Sequence, residues 1–231
     1  MLSETPVLEL TMAVADPTAD LAVGVPLSLR LLPGESALIE AADAAQLTAF
    51  ADLCSGLIEP LSGRVRFLGR DWQGLPHHYA AALRGRIGRV LSVGAWVPFV
   101  DVMTSILLPS LHHTRRDRRE LRGEALALAH EFGLPGLPLD RPEDLTQGDL
   151  NRAALVRAFL GEPLLVLVED RPNLSLSRSA AVLNRIAVVC DRGGAVVWLA
   201  RERTIGDPTS FPATHHLRLS DQGLALLRQA V

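Results

Sequence analysis

The chain has 231 residues, 48% of them hydrophobic, ample for a large buried core, and its formal net charge of −3 argues against general nucleic-acid binding. All 23 residues of the Lys+Arg count are arginine, so any chemistry that requires a lysine is excluded. Two cysteines, Cys54 and Cys190, lie far apart in apolar stretches, as buried thiols of a reducing compartment do.

The start of the chain has neither a basic nor an apolar leader pattern, so no signal peptide is expected. The longest apolar runs, such as Leu164 to Val168, are strand-sized and far short of a membrane span. Strands are predicted over Val7 to Val14, Val25 to Leu31 and Ser36 to Ile39, the last entered through the Pro33-Gly34 turn. A helix from Ala44 to Leu57 follows, with Leu47, Phe50, Leu53 and Leu57 at helical spacing; Pro60 and the Ser62-Gly63 turn end that unit before a strand over Arg64 to Leu68. After a loop, a short helix (Pro76 to Leu83) leads to a strand over Ile87 to Leu91.

From Gly94 to Asp144 the pattern is helical and broken at Pro98, Pro109, Pro135 and Pro138, with an amphipathic stretch from Arg115 to Phe132. A helix (Gly148 to Leu160), a strand (Leu164 to Val168), a helix (Leu176 to Val189) and a strand (Ala195 to Ala200) then alternate. Final strands, His215 to Leu219 and Leu224 to Leu227, flank the Asp221-Gln222-Gly223 turn. Strands alternating with helices imply a parallel α/β sheet, here with N-terminal antiparallel strands and an inserted α-helical lobe. One domain over 1–231 is expected, with the α/β core at 1–93 and 145–231 and the lobe at 94–144.

Four segments, in order and spacing, resemble the nucleotide-binding domains of ABC transporters, a P-loop NTPase-like fold. Leu32-Pro-Gly-Glu-Ser-Ala-Leu-Ile39 resembles the strand that feeds the phosphate loop. Cys54-Ser-Gly-Leu-Ile-Glu-Pro-Leu-Ser-Gly-Arg-Val-Arg-Phe-Leu-Gly-Arg70 resembles the run after that family's first helix. Leu145-Thr-Gln-Gly-Asp-Leu-Asn-Arg-Ala-Ala-Leu-Val-Arg-Ala158 resembles its signature, and Glu162-Pro-Leu-Leu-Val-Leu-Val-Glu-Asp170 its Walker B strand.

A phosphate loop needs glycines to close around the anion, a lysine for the β/γ oxygens and a hydroxyl for Mg²⁺. The resemblance places Glu40, Asp43 and Ala45 at the glycine positions, Gln46 at the lysine and Leu47 at the metal-ligand hydroxyl. Thr48 alone keeps the family's loop end. Glu169 and Asp170 hold the Walker B acids in exchanged order, which leaves Glu169 as a metal candidate and misplaces the base. Ser92 stands at the Q-loop glutamine and Arg201 at the switch histidine; arginine is permanently charged and shuttles no proton. No aromatic residue precedes Phe50 to stack adenine, and Asn173-Leu174-Ser175 lacks the D-loop aspartate.

The signature region, Leu145, Thr146, Gln147, Gly148 and Asp149, keeps a hydroxyl and one glycine. It reads either as a partial cap for a partner's ATP or as a plain helix N-cap. The histidine pairs His77-His78, His112-His113 and His215-His216 point in different directions and read as non-chelating. Arg115 to Arg119 reads as a solvated helix start, or as a contact for anionic lipid or a permease loop. Trp96 and Phe99, in the region where the family receives its permease, are docking candidates.

The resemblance thus implies an ABC-type subunit that has lost ATP hydrolysis, with no cofactor or only weak ATP/Mg²⁺. Its expected partners are a membrane permease and either an active ATPase subunit or a second copy, on the cytoplasmic face of the inner membrane. The alternatives are an active ATPase in which Arg201 or a partner residue replaces the lysine, and a scaffold that keeps only the fold. Arg152-Ala-Ala-Leu-Val-Arg-Ala158 and Gly161-Glu-Pro163 look most like the ATPase subunits of Mla-type lipid transporters.

Overall fold

The computed structural model describes residues 5–16, 21, 24–91, 95–169, 179–201, 211 and 213–229. In chain order the first half comprises β1 (Leu8–Val14), β2 (Leu27–Leu31), β3 (Ser36–Ala41), α1 (Ala44–Cys54), β4 (Ser62–Phe67), β5 (Arg70–Asp71), α2 (His77–Arg84) and β6 (Ile87–Val90). The second half comprises α3 (Val102–His113), α4 (Arg118–Glu131), α5 (Gln147–Phe159), β7 (Leu165–Glu169), α6 (Ala180–Asp191), β8 (Ala195–Arg201), β9 (His215–Ser220) and β10 (Gly223–Gln229).

Two sheets result. An antiparallel sheet has the order β2-β1-β4-β5, and a six-stranded sheet has the order β10-β9-β3-β8-β7-β6. In the larger one all neighbours pair in parallel except the β9–β10 hairpin at one edge. The fold is therefore the expected α/β arrangement with added antiparallel strands.

Period-two geometry divides the core. From β3, β7 and β8, residues Ile39, Leu167 and Val197 face one side with α1 and the antiparallel sheet. Their neighbours Leu38, Val168 and Trp198 face the other side with α3, α4, α5 and α6. Because both faces of these strands are covered, their inner stretches, Ala37 to Ile39, Leu165 to Val168 and Ala195 to Ala200, are continuously apolar rather than alternating.

Three local expectations are corrected. The first helix ends at Cys54 rather than Leu57: Ser55 caps it, and Gly56 takes φ +67° with the Trp72 ring packed where a Cβ would project. Pro109 does not break a helix but lies inside α3. The loop expected after Leu68 contains the short strand β5, paired to β4 through Arg66 and Phe67. The part of the sixth helix expected before Ser179 lies outside the described residues.

Candidate functional site

The C-terminal ends of β3, β7 and β8 meet the start of α1, and the phosphate-loop candidates lie there. Glu40, only 8% exposed, directs Oε2 to 3.3 Å from His216 Nε2, although the angle is not that of a hydrogen bond. Asp43 is the N-cap of α1, with extended backbone, and its Oδ1 accepts the Ala45 N–H at 2.9 Å. None of residues 40–48 takes a positive φ. Ala45 and Gln46 are half-buried, while Leu47 is buried in the core. Arg201 ends β8 exposed, paired in register beside Ala41.

Behind α1 lies a polar cluster. Glu169, at the end of β7, is 2% exposed, and its Oε2 accepts the Thr48 hydroxyl at 2.7 Å. Its Oε1 accepts from Arg89 Nε at 2.7 Å. The same guanidinium pairs with Asp52 on α1 and reaches the Thr48 carbonyl at 3.4 Å. Burial alone pulls the Arg89 pKa down, but the Glu169 charge, the hydrogen bonds to Asp52 and Glu169, and the Asp52 charge outweigh it and hold the pKa above the ordinary value. Three elements, α1, β6 and β7, are thereby joined through one cation.

Gly88, next to Arg89 in β6, faces the opposite helix. A Cβ at Gly88 would collide with the Ala158 carbonyl, so α5 rests directly on β6 and Arg89 turns toward α1. The sequence reading missed Arg89 and Asp52. The available signal was a charged residue inside the apolar strand Ile87 to Leu91, which needs a buried partner.

The signature-like residues stand at the start of α5. Thr146 is its N-cap and accepts the Asp149 N–H at 3.1 Å, while its hydroxyl donates to the Asp149 carboxylate at 2.7 Å. Asp149 also receives Arg152 at 2.9 Å, and Gln147 donates to Asn151. Leu145 packs partly against the helical core, and Gly148 is exposed.

A cleft of about 360 Å³ is lined by residues including Arg89, Val97, Ser105, Leu108, His113 and Arg157; neither Trp96 nor Phe99 lines it. Phe99 is 88% exposed. The Arg157 guanidinium lies over the Trp96 ring at 4.5 Å and donates to the Ala95 carbonyl at 3.2 Å. Burial pulls the Arg157 pKa down. Burial, then the His112 and Arg84 charges, lower that of His113.

Ser92, Asp170 and the 173–175 stretch lie outside the described residues. Among the described residues, no group of three or more His, Cys, Asp or Glu side chains is placed to hold a metal. Nor, among them, is any helix long and apolar enough to cross a membrane. Both cysteines are free thiols; burial raises the pKa of each, joined at Cys190 by the Asp191 charge.

No family model matches the chain. It is 30% identical to the nickel import ATP-binding protein NikE of Pseudomonas putida, over 73% of this chain and 63% of that protein. It is 31% identical to the phosphonates import ATP-binding protein PhnC of Alcaligenes faecalis, over 74% and 64%. With the lipoprotein-releasing system ATP-binding protein LolD 1 of Rhodopirellula baltica the identity is 26% over 84% and 80%. The chain thus spans a little under two thirds of the length of NikE and PhnC. A dimeric structure of a post-hydrolysis state of the ATP-binding cassette MJ0796, bound to ADP and Pi, superposes with a TM-score of 0.78. That match covers 96% of this chain and 100% of the other at 18% identity, a likeness of fold. The likeness to these relatives spans most of the chain, and the fold agrees with it from β1 to β10: the chain belongs to the ABC transporter ATP-binding domain family.

Proposed function

We propose that the chain is a pseudo-ATPase: an ATP-binding-type subunit kept in a membrane transport complex for its surfaces rather than for hydrolysis. The observation that carries this reading is the start of α1. A helix N-terminus receives phosphate through unpaired N–H groups and a favourable dipole. Here Asp43 takes the Ala45 N–H with its own carboxylate and places a negative charge where a polyanion belongs. Leu47 is buried and offers Mg²⁺ no oxygen. Both Glu169 oxygens receive hydrogen bonds from the protein itself. These residues do not fit a Mg²⁺–nucleotide.

A charge-assisted hydrogen bond is worth about 1.5–3 kcal/mol, and a total loss of about 4 kcal/mol weakens binding roughly a thousandfold. Titration of the purified protein with a fluorescent ATP analogue and Mg²⁺ is expected to give no micromolar binding and no turnover. Micromolar binding with turnover would sink the reading in favour of an active ATPase. That second reading draws on Arg201, which the β3–β8 register sets beside the phosphate-loop segment.

The partners follow from the surfaces. The exposed Phe99, together with the exposed Val97 and Leu108 that line the cleft, supports docking on a permease subunit. At the α5 start, Thr146 and Asp149 bond to each other, which favours a helix cap over a phosphate cap lent to an active partner. A lipid or lipoprotein cargo is supported by the Mla-like wording near Arg152 and by the name of the LolD relative. A peripheral position on the cytoplasmic face of the inner membrane belongs to the same proposal.

A further inference from the structure

We infer that Arg89 is a built-in replacement for the divalent cation, holding the Glu169 carboxylate in a ligand-independent state. The inference rests on the reading that Glu169 stands at the family's Mg²⁺-ligand position. It goes further, because an unoccupied carboxylate at that position would carry an unbalanced charge in a nearly closed site. Glu169 is 2% exposed, and a buried anion needs a cation and hydrogen bonds to remain ionised. Arg89 supplies both, with Nε at 2.7 Å from Oε1, and the Thr48 hydroxyl adds a hydrogen bond at 2.7 Å from Oε2.

The guanidinium also does what a bound ion does mechanically. It ties β7 to α1 through Asp52 and the Thr48 carbonyl, so the strand end and the helix are clamped with no ligand involved. Arg89 is also among the residues that line the cleft between β6, α3 and α5.

The test compares thermal unfolding of the wild type, Arg89→Met and the double variant Arg89→Met/Glu169→Gln, each with and without millimolar Mn²⁺ or Mg²⁺. Methionine keeps much of the apolar stem and removes the charge. The Tm of Arg89→Met is expected to fall by roughly 10 °C, the scale for breaking a buried pair in a chain of this size. Hard divalent cations suit the Glu169, Asp52 and Thr48 oxygens that this uncovers. Millimolar Mn²⁺ is therefore expected to restore a large part of the lost Tm in Arg89→Met and none in the double variant, while leaving the wild type unmoved. Without metal, the double variant is expected to be more stable than Arg89→Met, since it carries no stranded Glu169 charge.

An Arg89→Met protein that loses stability without any divalent rescue would overturn the proposal, leaving Arg89 as an ordinary ion pair. So would a wild type whose Tm rises with Mn²⁺ through Glu169. Should Arg89→Met not fold, calorimetric titration of Mn²⁺ into the wild type decides. No binding is expected, and binding that Glu169→Gln abolishes overturns the inference. These outcomes are separate from the nucleotide titration: the wild type can fail to bind ATP while Arg89→Met fails to recover with metal.

Discussion

Asp43 carries two consequences in one side chain. As the N-cap of α1 it satisfies the Ala45 N–H, and under the proposed function its carboxylate would also repel phosphate from the same spot. Asp43→Ala is expected to cost about 1 kcal/mol through the lost cap, read as a fall in Tm of about 2–4 °C. Nucleotide affinity is expected to stay undetectable in the same variant, because Gln46 and the buried Leu47 are unchanged. Thr146 invites a parallel experiment at α5, where alanine removes a cap made by one hydroxyl. Modification of Cys54 is expected to be slow in the folded state, since burial encloses its thiol and keeps it protonated.

At the scale of elements, the contact between β6 and α5 sets how far the chain tolerates change. Gly88 lets the α5 backbone rest on the strand, and Gly88→Ala forces the helix away. A loss of about 2 kcal/mol is expected, within the range for overpacking, and a shifted urea midpoint at unchanged slope would report it. Much at this scale was legible from apolar periodicity and turn residues, because β3, β7 and β8 have buried apolar centres and α1 buries Leu47, Phe50 and Leu53 at helical spacing. What was not legible depended on tertiary contacts. The end of α1 is set by Trp72 from another segment, and β5 exists only because β4 offers it an edge. Pro109 sits in α3 because packing of Ile106 and Leu107 into the helical core outweighs a missing backbone bond. Arg89 stood out as a charge inside an apolar strand, but its partners were not legible, because Asp52 and Glu169 are 37 and 80 positions away in sequence.

For the whole molecule, one sheet divides two cores and presents its helical side to a cleft edged by exposed apolar residues. Phe99 contributes little to either core, so Phe99→Ser is expected to leave stability within about 0.5 kcal/mol. Retention on membranes that contain the cognate permease is expected to drop sharply in that variant; unchanged retention would remove the docking assignment. The order of the motif-like segments was readable along the whole chain, since spacing survives when individual site residues change. Their chemistry was readable only in part: Thr48 and Glu169 do meet, but as partners of each other and of Arg89.

The placement of Trp96 gives this surface an optical handle. Of the chain's three tryptophans, Trp72 is 6% exposed and Trp198 fully buried, one in each core. Trp96 is half-buried under the cation of Arg157, a residue that lines the cleft. A neighbouring guanidinium shifts indole emission, and quenchers in solution reach a half-buried ring before enclosed ones. Fluorescence from a Trp72→Phe/Trp198→Phe background therefore reports on this surface alone, and a docked partner registers there as a change in colour and a loss of quenching.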